Sequence, residues 1–223
     1  MTILAVSGLL REARIAKGTG VTTIAGGGDA AGLARKIEAA LSDDDIHGII
    51  SIGIAGALAP TLCVGDCVIA SEVVAPGERV SADEYWTAKL LDRIAGAACG
   101  VIAGSNRVAN TKEAKAQLYR ETGALAVDME SHIAARAARD HGIAFAALRV
   151  ISDDAENGLP PAALVAMKPD GSIAIGKVMA SLLMRPQQIP DLIRTARDSE
   201  AAFAGLLRRR SLAGALFAFP NLG

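Results

Sequence analysis

Short apolar runs alternate with amphipathic segments along most of the chain. The apolar runs have the length of strands and predict them over residues 3–7, 21–25, 46–54, 64–70, 73–74, 101–103 and 143–148. Apolar positions with helical spacing predict helices over residues 12–16, 30–41, 82–98, 111–122, 172–184 and 187–210, and one more after residue 130. Strands that alternate with helices are typical of an α/β fold. We predict a three-layer single domain with a mostly parallel central mixed sheet.

No repeat, linker or low-complexity tract divides the chain. We therefore expect an α/β domain over residues 1–185, with residues 186–223 forming a C-terminal helix and an apolar tail that pack on the same domain. The high apolar content predicts a homo-oligomer, either a dimer or an assembly of dimers. In the tail, the basic cluster Arg208–Arg210 precedes a mostly apolar segment, a combination that can make peripheral contact with an anionic membrane. Packing of the tail on the domain or on a neighbouring subunit is the expectation we favour.

Two acidic residues occupy positions that folding alone rarely gives to carboxylates. Glu130 precedes an apolar stripe with helical spacing, formed by Ile133, Ala134, Ala137 and Ala138. Asp153 lies just beyond the C-terminal end of the strand predicted over residues 143–148. Ligands of open α/β sheets bind at the C-terminal ends of strands. The two acids are therefore candidates for one site, although either acid alone is more simply a helix cap or a turn residue.

Three predicted strands end in glycine-rich turns, at Gly8, at Gly26–Gly28, and at Gly53 with Gly56. Glycine allows close approach of the backbone to a ligand, but any one of these turns is more simply a tight connection. None of them has the spacing of a dinucleotide-binding fingerprint or of a P-loop. A dinucleotide-dependent oxidoreductase is therefore disfavoured, and a phosphate, ribose or water site stays open.

Composition limits the classes of partner. The chain has 223 residues, of which 51% are hydrophobic, and a net charge of −1, so no strong field attracts nucleic acid and we expect no nucleic-acid partner. No apolar run reaches the roughly 18 residues of a membrane span, and the N-terminus lacks the basic region of a signal peptide. We predict a cytoplasmic protein. Cys63 and Cys67 have no histidine or second cysteine pair nearby, so buried free thiols are expected rather than a metal site or another cofactor site.

Three segments resemble the nucleoside phosphorylase and nucleosidase superfamily. Residues 52–66 resemble its G-x-A-G-x-L…V-G-D segment, residues 127–130 its V-E-M-E segment, and residues 149–153 its R-x-I-S-D segment. The segments occur in the order of that family, and the resemblance covers roughly residues 3–185. Further stretches resemble the hopanoid-associated phosphorylase group, namely residues 12–16, 127–132 and 159–164.

The resemblance implies that a small-molecule nucleoside is the substrate and that its purine N-glycosidic bond is cleaved, with adenosyl hopane as the candidate within the hopanoid-associated group. Asp153, partly protonated by burial, would act as the general acid at purine N7, and Glu130 would accept ribose hydroxyls. Glu12 completes the set of catalytic candidates. Further substrate-binding candidates are Met129, Gly8, Gly53, Ala55, Gly56, Arg107 and Asp128. Arg149, inside an apolar strand, needs an acidic partner and is expected to support the site.

Departures from the family pattern leave the nucleophile open between water and phosphate. Ile54 replaces a hydroxyl residue found in many members, and the acidic run near Gly8 keeps only Glu12. Arginines stand there instead, so inorganic phosphate is a possible co-substrate and the nucleophile we favour. The candidate phosphate-binding residues are Arg11, Arg14, Gly27 and Gly28.

The segment with Tyr85 and Trp86 is expected to border the 5′ end of the nucleoside and to contact a bulky apolar 5′ group. The C-terminal tail could bring the protein to the inner membrane face, where such a substrate resides. The alternative is a non-catalytic nucleoside-binding or membrane-recruited protein on the same fold. Presence of both Glu130 and Asp153 favours the enzyme.

Overall fold

The computed structural model describes residues 1–43, 45–164 and 174–220. The strands are β1 (Thr2–Ser7), β2 (Val21–Ala25), β3 (Ile46–Ala57), β4 (Cys67–Ala75), β5 (Glu78–Ser81), β6 (Ala98–Gly104), β7 (Ala126–Asp128) and β8 (Ala144–Asp153). The α-helices are α1 (Leu10–Ala16), α2 (Ala30–Asp43), α3 (Glu84–Arg93), α4 (Lys112–Thr122), α5 (Ser131–His141), α6 (Pro161–Leu164), α7 (Ile175–Met184) and α8 (Ile189–Ala213).

The strands form one mixed sheet that closes on itself at one side. β1 pairs in parallel with β2 and β3, and β3 pairs in parallel with β8. β8 continues to β4 in antiparallel pairing, β4 to β6 and β6 to β7 in parallel pairing, and β7 returns to β3 in antiparallel pairing. β5 extends the sheet from β4 in antiparallel pairing. The predicted α/β class and mostly parallel mixed sheet are confirmed.

Both faces of the sheet are buried, which explains the continuous apolar runs in the sequence. Along β1, Leu4 and Val6 face a core shared with α2 and α5. Ile3 and Ala5 face a second core, shared with α1, α3 and α8. Helices therefore cover both faces of the sheet, and the ends of the strands are not covered by these helices.

Element bounds differ from the sequence prediction where polar residues interrupt a strand. The strands expected at 64–70 and 73–74 are one strand, β4, whose pairing with β6 shifts register between Ala70 and Glu72. The alternating polar edge strand β5 and the short helix α6 were not predicted. β8 continues to Asp153, so this acid belongs to the strand itself. The first residues of the helix predicted over 172–184 lie outside the described residues.

The segment after α8 packs on the same domain. Phe217 is fully buried, and its backbone oxygen accepts a hydrogen bond of 2.7 Å from Trp86 Nε1. Arg210 Nε donates to the Ala16 oxygen at 3.1 Å, and its guanidinium lies 4.1 Å from the centre of the Phe217 ring. Arg210 of the basic cluster is thus buried in contacts within the domain.

Two sequence expectations for other residues are corrected here. Trp86 is fully buried and Tyr85 is exposed, and neither borders the acids described below, because α3 packs against the C-terminal segment on the α1–α8 face. Cys63 is exposed in the loop before β4, whereas Cys67 at the start of that strand is buried. No helix in the described part of the chain is long and apolar enough to cross a membrane.

Candidate functional site

Strand pairing places the site acids at one end of the sheet. Gly56 of β3 pairs with Val127 of β7 on one side and with Asp153 of β8 on the other. Glu130 lies two residues after the end of β7 and immediately precedes α5. The third acid, Glu12, lies on α1, the helix that follows β1. The topology therefore brings together acids that are far apart in the sequence.

Glu12 is buried and held by backbone amides. Its Oε2 accepts hydrogen bonds from the Gly8 amide at 2.9 Å and the Leu9 amide at 2.7 Å. Its Oε1 accepts from the Ile54 amide at 2.8 Å. Burial raises the pKa of the Glu12 carboxyl above its ordinary value, and these amides and the positive charge of Arg149 offset only part of that effect. A side chain at Gly53 would lie 2.6 Å from Glu12 Oε1, so glycine is required there.

Glu130 is a buried acid beside the same turn. A Cβ atom placed on Gly8 would lie 2.7 Å from Glu130 Oε1, so the Glu130 carboxyl lies against the backbone whose amide binds Glu12. Burial raises the pKa of Glu130 to about 8, with further contributions from the negative charges of Asp128 and Glu12. Two carboxyl groups in one dry pocket resist simultaneous ionisation. The pair can therefore hold a proton at neutral pH.

A buried ion pair between Arg149 and Asp128 holds the backbone at Glu130. Arg149 Nε donates to Asp128 Oδ2 at 2.6 Å, and Arg149 Nη2 donates to Ser51 Oγ at 2.6 Å. Asp128 Oδ1 accepts from the amides of Glu130 at 3.0 Å and Ser131 at 2.8 Å. Asp128 is therefore the acidic partner that Arg149 was expected to have. Asp128 also lines the cleft described below, so its contact with substrate stays a prediction, although these donors occupy its buried carboxylate.

Asp153 is partly exposed to the site and is paired with a buried lysine. Its Oδ2 accepts a hydrogen bond of 2.9 Å from Ser152 Oγ, and its Oδ1 forms an ion pair with Lys115 of α4. The environment therefore differs from the expected one, in which burial alone keeps Asp153 partly protonated. Sequence reasoning missed Lys115 because α4 is otherwise polar, so its lysines all look like surface residues.

An open cleft with a volume of about 70 Å³ lies at this end of the sheet. Asp153, Gly56 and Met129 line it, and the exposed Arg107 lies at its border. That volume is smaller than the roughly 300–1,000 Å³ of small-ligand pockets, so the cleft accommodates only part of a nucleoside as it stands. Ala55, another binding candidate, is buried in β3, pairs with Ile151 of β8, and has its backbone oxygen 3.2 Å from Ser152 Oγ. Ala55 thus supports the acid-bearing strand and does not present its side chain to the cleft.

The structure does not assemble the predicted phosphate-binding residues. The guanidinium of Arg11 pairs with Glu200 of α8 and lies 4.1 Å from the centre of the Phe203 ring. Arg14 is exposed on α1, whose buried face carries Glu12. These arginines fail to converge because consecutive turns of α1 point them to solvent and to α8.

The glycine turn after β2 also departs from the phosphate-binding expectation. The Gly27 amide donates to the Gly8 oxygen at 2.8 Å and is therefore unavailable to an anion. Gly28 is exposed and has φ of 76°, a conformation suited to glycine. The turn supports Gly8 and hence the two buried glutamates.

Solved structures with this fold include enzymes acting on nucleosides. The S-adenosylhomocysteine nucleosidase of Streptococcus pyogenes, solved with 5-methylthiotubericidin, has 17% identity and a TM-score of 0.64, over 92% of this chain and 96% of that chain. The 5′-methylthioadenosine/S-adenosylhomocysteine nucleosidase of Helicobacter pylori has 16% identity and a TM-score of 0.66, over 95% and 98%. The futalosine hydrolase of Helicobacter pylori has 16% identity and a TM-score of 0.65, over 95% and 97%.

Sequence comparison gives the family. No curated protein matches the chain significantly. The family model of the phosphorylase superfamily matches residues 12–184, which contain Glu12, Glu130 and Asp153. The chain therefore belongs to the phosphorylase superfamily, as its nucleoside phosphorylase and nucleosidase motifs predicted.

Proposed function

We propose that this protein cleaves the N-glycosidic bond of an adenine nucleoside and that water is the nucleophile. One observation carries the proposal: Asp153 and Met129 line one cleft, and Glu130, the residue after Met129, lies against Gly8, whose amide binds Glu12. Hydrolysis of a nucleoside needs an acid at the base and a proton acceptor near the anomeric carbon. Asp153 is the candidate for the first role, and the buried glutamates are the candidates for the second.

Asp153 is the candidate acid for the leaving base. As the bond between sugar and base breaks, its electron pair moves to the purine, and a proton on N7 neutralises the developing charge. Asp153 is the acidic side chain on the cleft wall that is not fully buried, since its side chain is 15% exposed. It can therefore reach a base bound between Gly56 and Met129.

Glu12 and Glu130 are the candidates for the sugar end. Glu130 can accept hydrogen bonds from the ribose hydroxyls, and these contacts strengthen as positive charge develops on the sugar. Glu12 can accept the proton that water loses on attack, because its raised pKa makes it a better base than an ordinary carboxylate. The oxygen of water then bonds to the anomeric carbon, and the products are the free base and a sugar with a free hydroxyl there.

Water is favoured over phosphate by the positions of the charged residues. Glu12 lies inside the site, and a negative group there repels phosphate. Arg11 is paired with Glu200 at the surface. Phosphorolysis is the second candidate, because the Arg107 guanidinium at the cleft border has no partner among the residues that the structure describes.

The 5′ group of the substrate follows from the apolar side of the cleft and from the relatives. Val108 and Leu159 line the cleft beside Arg107. Structural neighbours are named for 5′-methylthioadenosine and S-adenosylhomocysteine, which both carry a thioether at the 5′ position. We propose an adenine nucleoside with an apolar 5′ substituent. The sequence resemblance to the hopanoid-associated group extends this proposal to adenosyl hopane, and peripheral membrane contact and a cytoplasmic location belong to the same proposal.

The test is incubation of the purified protein with adenosine, 5′-methylthioadenosine and a long-chain 5′-alkyl adenosine, with and without inorganic phosphate. Chromatography measures the free base and identifies the sugar product. We expect free adenine and a free sugar at a rate independent of phosphate, with the 5′-substituted substrates preferred. A sugar 1-phosphate formed only when phosphate is present would establish phosphorolysis instead. Tight nucleoside binding without any release of base would establish the non-catalytic alternative.

A further inference from the structure

Lys115 is the buried side chain of α4. The side chain is 0% exposed, whereas its neighbours on the helix face solvent at least in part. Burial of an ammonium group is costly unless hydrogen-bond acceptors surround it. An apolar residue would fill the same position at lower cost, so the lysine needs an explanation beyond packing.

Acceptors saturate the Lys115 ammonium. It forms an ion pair with Asp153 Oδ1, and it donates to the backbone oxygens of Asp154 at 2.5 Å and Asn157 at 3.0 Å. A lysine has three N–H donors, and each of them has an acceptor here. Lys115 does not line the cleft that Asp153 lines. The cation therefore holds Asp153 from the protein interior and leaves the cleft side of the carboxyl group accessible.

Anchoring of the loop after β8 does not by itself account for Lys115. Lys112, one turn earlier on α4, already pairs with Glu156 of this loop at the surface. Within the loop, Asp154 Oδ1 accepts from the amides of Glu156 at 3.0 Å and Asn157 at 2.8 Å. A buried ion pair is in general a poor device for stability, since desolvation offsets the attraction. The feature specific to Lys115 is its contact with the acid of the cleft.

We propose that Lys115 is the positioning residue of the leaving-group acid. It fixes Oδ1 of Asp153, so that Oδ2, which lies 2.9 Å from Ser152 Oγ, is the oxygen left to deliver a proton to the base. Its charge then stabilises the carboxylate that forms when this proton moves to purine N7. The electron pair of the broken glycosidic bond stays on the purine, and Lys115 itself keeps all its protons. The inference rests on the proposed function, and it adds a fixed cation beside the carboxylate that remains when the base departs.

The experiment compares Lys115→Met, Asp153→Asn and the double variant in two assays. One assay measures adenine release from 5′-methylthioadenosine. The other uses 4-nitrophenyl riboside, whose leaving group departs without protonation of a purine nitrogen. Lys112→Met is the matched control, because it removes the other lysine that ties α4 to the same loop. Circular dichroism confirms the fold of each variant.

We expect Lys115→Met to lower kcat for adenine release by about 10–100-fold, within the range of general acid effects, with little change in KM. The double variant should be no slower than Asp153→Asn alone. With 4-nitrophenyl riboside, Lys115→Met should have the kcat of the wild type. Lys115→Arg should recover part of the adenine-release activity that Lys115→Met loses. Additive losses, equal losses in both assays, or the same loss in Lys112→Met would overturn the inference. If Lys115→Met does not fold, Lys115→Gln, which keeps a donor without the charge, replaces it with the same expectations.

The outcomes separate this inference from the proposed function. A wild-type protein that releases adenine, together with a Lys115 variant of equal kcat, contradicts only the role of Lys115. A wild-type protein that releases no base from any purine nucleoside contradicts the proposed function itself.

Discussion

Glu130, a candidate catalytic residue, lies in an environment that disfavours its charged form. Its pKa is raised to about 8 by burial first and by the charges of Asp128 and Glu12 next. The folded protein therefore keeps a proton on this residue between its ordinary pKa near 4.5 and about 8, whereas the unfolded chain releases it. Because the folded state binds more protons in that range, the free energy of unfolding falls as pH rises through it.

Glu130→Gln should remove this pH dependence, because a neutral amide of the same shape has no proton to lose. We expect the free energy of unfolding of the variant to exceed that of the wild type by about 1–3 kcal/mol at pH 9, and to differ little at pH 5. Urea unfolding at both pH values is the measurement. The exposed Glu121→Gln is the control and should follow the wild type. Parallel curves for Glu130→Gln and wild type would show that Glu130 has no raised pKa.

The same substitution should reveal which sugar hydroxyl Glu130 binds. Above about pH 8, where Glu130 is ionised, a glutamine cannot match the hydrogen bond that the carboxylate makes to the sugar as positive charge develops, so Glu130→Gln should lower kcat/KM for a ribonucleoside at that pH. With a 2′-deoxynucleoside, which lacks one of the hydroxyls, the substitution should cause a smaller decrease in kcat/KM. Steady-state kinetics on the matched substrates decides this, and equal losses would place the 2′-hydroxyl elsewhere.

At the scale of elements, the turn after β1 joins the two glutamates. The Gly8 amide binds Glu12, and the space of a Gly8 side chain is occupied by Glu130. The Gly8 oxygen in this turn accepts a hydrogen bond of 2.8 Å from the Gly27 amide. β1, α1 and the turn after β2 therefore position the two glutamates, and β8 with α4 positions Asp153.

Gly8→Ala should damage the site more than the fold. The new Cβ would lie 2.7 Å from Glu130 Oε1, so the carboxyl must shift. We expect kcat/KM to fall about tenfold or more, since small displacements at a reacting centre are costly. Gly176→Ala on α7 is the control, because its Cβ would meet no atom within 4 Å. Full activity in a folded Gly8→Ala protein would count against the placement of Glu130.

The sequence predicted the elements whose patterns are local. Strand ends and helix starts follow from short-range spacing, so the sequence placed Glu130 at the start of a helix and Asp153 just beyond the end of a strand. The sequence pattern could not predict contacts between residues far apart in the chain. Arg11 looks like a phosphate ligand until Glu200, 189 positions later, is brought beside it by α8. Lys115 looks like a surface residue until the loop after β8 folds over it, and Trp86 looks like a ligand contact until the tail covers it.

At the scale of the whole molecule, an exposed apolar surface lies on the late helices. Leu183 and Met184 of α7 are each 83% exposed, and Ile193 of α8 is 48% exposed. Large apolar side chains exposed to this degree are a feature of surfaces that a partner covers. We predict that a second copy of the chain covers this surface in a homo-oligomer.

Sedimentation velocity tests this oligomer. The wild type should sediment as a dimer or a larger assembly at micromolar concentration, and Leu183→Glu should shift it toward the monomer by placing a charge in an apolar contact. Leu10→Glu, which alters an exposed leucine on α1, is the control and should leave the assembly intact. A wild-type monomer at that concentration would refute the prediction.

The central claim is that a base leaves the cleft with a proton from Asp153. The most direct measurement is the rate of adenine release from 5′-methylthioadenosine by the wild type and by Asp153→Asn, each shown to be folded by circular dichroism. We predict release by the wild type and a loss of about 10²–10⁴ in kcat for the variant, because an amide cannot act as the general acid. Turnover by Asp153→Asn at the rate of the wild type, or no release by either protein, would contradict the account.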